Sequence, residues 1–129
     1  MLGIDTNLIV RYLTGDHPKQ SLQARQLIDG EDVFVGTTVL LETEWVLRSV
    51  YGYAAATVVK ALRGFAGLPH VSVEDAGKAA LALDWMEGGM DFADALHLAA
   101  AGGCNGFVSF DRALARAANR GSRVKVRAV

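Results

Sequence analysis

Asp5, Glu42, the pair Asp91 and Asp94, and Asp111 stand where a strand hands over to a helix or in a helix's first turns. Scattered in sequence, these acids could converge on one edge of a sheet. Two unit negative charges about 4 Å apart repel by roughly 4 kcal/mol at an effective dielectric near 20. A cluster of carboxylates therefore needs a divalent cation, or raised pKa values, to exist. Hard oxygen ligands with no His–Cys set suit Mg²⁺ or Mn²⁺ rather than structural zinc. Two such ions about 3.5–4 Å apart would clamp the attacking and leaving oxygens of a phosphodiester. Hydrolysis is the chemistry this residue set points to.

Each acid also has a plainer use. Asp5, Asp91 and Asp111 are well placed as helix N-caps, where the side chain and the helix dipole both favour Asp. Glu42 could be a solvated helix residue paired to Arg48 or Lys60, although Leu40, Leu41 and Trp45 flank it. Asp94 is the hardest to explain away, because Ala93, Ala95, Leu96 and Leu98 surround it and an unpaired charge among apolar neighbours is costly. Asp91 and Asp94, three apart on one helix, share a face about 5–6 Å apart. His17, His70 and His97 fall in unrelated contexts. His97, three after Asp94, reads as an ordinary helix histidine, so no side chain is an obvious general base.

The elements that must position these acids alternate. Leu2 to Ile4 reads as a strand ending at Asp5, followed by a helical stripe of Leu8, Ile9, Tyr12 and Leu13. Asp16 as a cap and Pro18 in a first turn start a second helix that stops at Gly30. Val33 to Val35 is a strand, and Thr37 and Thr38 offer caps to a helix closed by Gly52. A further helix spans about residues 54–65. Val71 to Val73 is short and extended, with Ser72 and Asp75 resembling a capping box. Helices then run to about Met86 and from Asp91 to Ala101. Phe107 to Phe110 is a strand, Asp111 opens a helix to about Asn119, and Val124 to Val126 is a last strand. Trp45, Val46, Val50, Tyr51 and Tyr53 are assigned to core packing, with a partner-binding groove as the other use. The pattern predicts one α/β/α domain over residues 1–129, with a central, mostly parallel sheet of about four to five strands. The carboxyl edge of such a sheet is where ligands bind.

Composition sets the limits. At 129 residues and 51% hydrophobic, the chain can bury a real core. No leader is read at the Met1–Ile4 end, and no apolar run approaches the roughly 18 residues of a membrane span. The single Cys104 excludes a disulfide framework, reads as a buried thiol, and fits a cytoplasmic protein. The formal charge of −1 predicts no partner, but its distribution does more. Residues 74–111 hold seven acids against one base, Lys78, whereas residues 112–129 hold six bases and no acid. An acidic stretch beside a basic tail suits a metal site next to a polyanion-binding surface. Arg112, Arg116 and Arg120 recur every four residues, forming one helix face beside Asp111 that suits a polyanion or a protein partner.

Four blocks carry a resemblance. Gly3-Ile4-Asp5-Thr6-Asn7, Leu40-Leu41-Glu42, Asp91-Phe92-Ala93-Asp94-Ala95-Leu96 and Phe107-Val108-Ser109-Phe110-Asp111 resemble a PIN-domain ribonuclease in order and spacing. The likeness covers essentially the whole chain and is greatest to the compact toxins of VapBC-type toxin–antitoxin modules. It implies a Mg²⁺- or Mn²⁺-dependent endoribonuclease cleaving single-stranded or loop RNA, often a tRNA. Asp5, Glu42, Asp94 and Asp111 would be the catalytic, metal-binding acids, with Asp91 an accessory carboxylate. Thr6 and Asn7 would support the first ligand. Ser109 stands where the family often has Thr, and keeps the hydroxyl. Arg112 and Arg116 would touch RNA. A second copy and a small cognate antitoxin are the implied protein partners.

Other phosphoryl-transfer patterns fit less well. A haloacid-dehalogenase-like phosphatase wants a second Asp two residues after the first, where this chain has Asn7. A response-regulator receiver wants an adjacent acidic pair and a late Lys in positions this chain does not fill. A non-catalytic PIN-like binding module remains the alternative from a different class.

Overall fold

The computed structural model describes residues 1–121 and 124–129; Arg123, one of the basic tail, lies outside the described residues. The chain divides into two compact units, Met1–Ala76 and Gly77–Val129. The mixed α/β expectation is met: five strands and seven α-helices are seen among the described residues, and every strand pairing is parallel. The strands form two hydrogen-bonded ladders, β1-β2-β3 in the first unit and β4-β5 in the second, where the sequence pointed to one sheet.

In the first unit β1 is Leu2–Gly3, β2 Val33–Val35 and β3 Val71–Val73. Leu2 aligns with Val33, and Val33 with Val71. β2, in the middle, buries Val33 and Val35 completely while Phe34 stays 37% exposed. Around this ladder run α1 (Thr6–Thr14), α2 (Pro18–Gly30), α3 (Thr37–Trp45) and α4 (Ala55–Ala66). Ile9, Ile28, Leu40, Val58, Leu62 and Phe65 are buried. The Tyr12 ring meets Phe65 edge-on at 5.6 Å. α1 ends on Gly15, whose φ of 66° is left-handed and open to glycine at no steric cost.

α3 does not end at Trp45. It continues as a π-turn over Val46–Val50, with the Tyr51 N–H reaching back to the Val46 carbonyl. Leu47 is buried there, but Trp45 is 53% and Val50 65% exposed, with Tyr53 also at the surface. The core assignment for Trp45, Val50 and Tyr53 is therefore corrected: all three lie at the surface, Trp45 at the end of α3 and Val50 at the end of the wider turn. The Tyr51 and Tyr53 rings stack at 5.8 Å.

The helix starts also differ from expectation. His17, not Asp16, caps α2, its Nδ1 accepting from the Gln20 N–H at 3.2 Å. α3 has no side-chain cap from Thr37 or Thr38; Glu74, at the end of β3, accepts from the Thr37 N–H at 2.8 Å. That bond holds the Glu74 carboxyl below its ordinary pKa. Ser72 lies within β3 and Asp75 takes a left-handed turn (φ 46°), so neither forms a capping box.

The second unit holds α5 (Ala76–Glu87, whose first residue closes the first unit), α6 (Phe92–Ala100), β4 (Phe107–Ser109), α7 (Arg112–Gly121) and β5 (Val126–Ala128). β5 lies two residues later than the sequence suggested. The Asn119 amide explains the shift: it accepts from the Val126 N–H at 3.1 Å and donates to the Val126 carbonyl at 3.2 Å. This pins Val126 opposite Phe107. Cys104 is exposed in the turn after α6, not buried. Among the described residues no helix is long and apolar enough to cross a membrane.

Candidate active site

Asp5 follows β1 with an extended backbone (φ −91°, ψ 166°) and caps α1, its Oδ1 accepting from the Thr6 N–H at 2.7 Å. The capping use is real, and it occupies one oxygen; Oδ2 has no partner among the described residues. Thr6 is 3% exposed, and its hydroxyl donates to Oε1 of Glu42 on α3. A buried hydroxyl with one strong acceptor has a fixed direction, so Thr6 sets where the Glu42 carboxylate sits. Within the first unit, Asp5 and Glu42 are thus brought together through one intervening residue.

Asn7 behaves differently from expectation. Its amide is exposed and makes no hydrogen bond to Asp5; it lines a groove with Leu8, Arg11, Gln20 and Gln23. Arg11 donates from Nε to Gln20 Oε1 at 2.9 Å and from one terminal nitrogen to Asp16 (3.1 Å) and to the Tyr51 hydroxyl (3.2 Å). Tyr51 in turn donates to Asp16 at 2.7 Å. Bonds from Tyr51, Thr14 and Arg11 hold the Asp16 carboxyl below its ordinary pKa.

In the second unit Asp91 caps α6, accepting from the Asp94 N–H at 3.2 Å. Asp111 caps α7, its Oδ1 accepting from the Leu114 N–H at 3.0 Å, while its own N–H donates to Ser109 Oγ at 2.9 Å. Ser109 thus does support the last acid, through its backbone. Asp94, in the first turn of α6, is half-buried. Burial first, and then the charges of Asp91 and Asp111, push its carboxyl above its ordinary pKa, while His97 pulls the other way. Asp94 therefore lies within reach of the charges of both Asp91 and Asp111. Arg112 and Arg116 are exposed on α7, next to Asp111.

Among the described residues no three His, Cys, Asp or Glu side chains converge closely enough to make a metal site on their own. The donor set nonetheless fits a hard cation in chemistry: carboxylates only, with capping using one oxygen each of Asp5, Asp91 and Asp111. The raised Asp94 reflects burial first, and then the neighbouring charges of Asp91 and Asp111.

Sequence reasoning missed three features. Glu74 is a further acid at the carboxyl end of the first ladder, used as a cap. Glu44 is 1% exposed and ion-paired to Arg48 at 2.8 Å, for which the i,i+4 spacing was the available signal. The groove beside Asn7 was signalled only by Asn7 and Arg11 at i,i+4 and by Gln20 and Gln23 at i,i+3.

The PIN domain family model matches residues 3–120. No curated protein sequence matches the chain.

Proposed function

The chain belongs to the PIN-domain family, a nuclease-type fold, and on that footing we propose that it is a Mg²⁺- or Mn²⁺-dependent endoribonuclease. On this reading residues 1–129 work as a single PIN-like domain and serve as the toxin of a type II toxin–antitoxin pair, cleaving RNA such as a tRNA. The observation that carries the reading is the placing of two acids in the first unit: Asp5 is held by its cap at the Thr6 N–H, and the Thr6 hydroxyl holds Glu42. Carboxylates held in place in this way are hard oxygen donors that suit a divalent cation.

Asp5, Glu42, Asp94 and Asp111 would hold the cation, with Asp91 accessory. When bound, it supplies positive charge for the phosphodiester transition state and lowers the pKa of a water. The chain's own residues prepare the site. Caps fix Asp5, Asp91 and Asp111 through one oxygen each, so their carboxylates are ordered before any ligand arrives. Thr6 keeps its proton directed at Glu42 Oε1, leaving that carboxylate oriented. Arg112 and Arg116 supply charge for the RNA backbone. The exposed Trp45, Val50 and Tyr53 offer apolar surface for a protein partner, for which an antitoxin and a second copy are the occupants of this reading.

The test is cleavage of a pool of structured RNAs by purified, partner-free protein with Mg²⁺, Mn²⁺ or EDTA. Wild type should cut only with metal, and Asp5→Asn should not cut. Full cleavage by Asp5→Asn would sink the metal-site assignment. No cleavage of any RNA or single-stranded DNA would favour a non-catalytic module acting through protein or RNA contacts. Growth arrest on induction, relieved by a neighbouring small open reading frame, tests the toxin role.

A further inference from the structure

We infer that the groove between α1 and α2, lined by Asn7, Leu8, Arg11, Gln20 and Gln23, receives one unpaired nucleobase of the RNA strand. This deepens the nuclease reading and rests on it for the identity of the polymer. The argument starts from charge. Arg11 is committed to Asp16, Tyr51 and Gln20 at 2.9–3.2 Å, so its cation is already matched by a carboxylate. What the groove offers a ligand is therefore a set of neutral amides, which suits a base edge better than a phosphate.

The amides are also oriented. Arg Nε can only donate, so the Gln20 oxygen must face Arg11 and its NH₂ is the group left over. Asn7 and Gln23 are exposed and take no hydrogen bond within the described residues, so each presents an adjacent donor and acceptor. That pairing is what side-chain amides use against base edges. Half-buried Leu8 and the guanidinium of Arg11 supply surfaces on which a splayed base can lie. Position supports the same ligand. Asn7 is two residues from Asp5, and Asp5 to Arg11 spans about 9 Å of helix axis at 1.5 Å per residue. A base held here would belong to a nucleotide close to the phosphate at Asp5.

The experiment has a binding arm and a cleavage arm. In EDTA, so that nothing is cut, the ¹⁵N-labelled full chain is titrated with the RNA pentamers UUAUU and UUUUU and, separately, with inorganic phosphate. Shifts of the Asn7, Gln20 and Gln23 side-chain amides and of Arg11 Nε–H with RNA, and not with phosphate, are expected. No shift there, or equal shifts with phosphate, overturns the base site. In the second arm Gln23→Ala, on the exposed side of α2, should raise KM for RNA about fivefold or more with kcat unchanged. Unchanged KM alongside active wild type overturns the groove and leaves the nuclease reading standing. Amide shifts in a chain that cuts no RNA would do the reverse.

Discussion

The Thr6 hydroxyl donates to Glu42 Oε1, so the first turn of α1 and the middle of α3 share one hydrogen bond across 36 positions of sequence. The hydroxyl is buried, and the carboxylate it serves is exposed on its helix. Positioning of Glu42 thus depends on a residue that need not itself touch metal or RNA.

Thr6→Val should therefore cost activity out of proportion to stability. Removing a partner that orients a ligand lowers activity by about 10–100-fold, while one hydrogen bond contributes about 1 kcal/mol to folding. Thr6→Ser should recover most of the cleavage rate. Equal rates for Thr6→Val and wild type would show that the bond has no positioning role.

Asp94 predicts an unusual pH response. Folding raises its pKa, so the folded chain holds the proton more tightly than the unfolded one. The resulting stability is fully present below the ordinary carboxylate value and lost as pH rises through the raised one. In EDTA, Asp94→Asn should melt a few degrees higher than wild type at neutral pH, with the gap closing on acidification. Asp16 and Glu74, lowered by the bonds they accept, act in the opposite sense in both proteins, so the comparison cancels them. A mutant less stable than wild type at neutral pH contradicts the prediction.

The Glu44–Arg48 pair should matter to folding alone. Glu44 is 1% exposed, so Arg48→Met strands a buried carboxylate. Breaking a buried pair costs about 3–5 kcal/mol, and the exposed Arg48 places this case toward the lower end. Urea unfolding should show the loss, and adding Glu44→Gln should restore part of it. A double mutant no better than Arg48→Met alone would mean the carboxylate was not the source of the cost.

Salt dependence separates RNA-contacting arginines from bystanders. Each phosphate contact removed should reduce the slope of log K against log salt by about 0.7 for a single strand. Arg112→Gln and Arg116→Gln should each do so in binding assays performed with EDTA. An unchanged slope assigns that face of α7 to a protein partner instead.

Much of the fold was legible because local patterning dictated it. Val71–Val73 came out as read, and Phe107–Ser109 nearly so, since short β-branched and aromatic runs bounded by Gly, Pro or polar residues have few other options. The caps on Asp5, Asp91 and Asp111 were equally readable, being local contacts of one to three residues. What sequence could not supply were partners distant along the chain. Thr37 is served by Glu74, 37 positions away, and Val126 is placed by Asn119. Val50 reaches the surface at the end of the π-turn, and no residue-level propensity marks that extra residue. For the candidate site, Thr6 and Asn7 were expected to support the first ligand, Asp5; the Thr6 hydroxyl instead bonds Glu42, and Asn7 lines a separate groove.

That π-turn also fixes the chain's phase. An α-helix advances about 100° per residue, and a π-turn accommodates one residue more than α geometry allows. Deleting a single residue between Val46 and Val50 would let α3 continue as a regular helix with the chain beyond it nearly in its present direction, whereas the same deletion in the α-helical stretch before it would swing everything beyond by about 100°. Only the second deletion would carry the Tyr51 hydroxyl away from Asp16 and Arg11, with which it now shares hydrogen bonds. A length change in α3 is in this way coupled to the turn between α1 and α2, and the stretch 46–50 is where one residue can be lost without breaking that link.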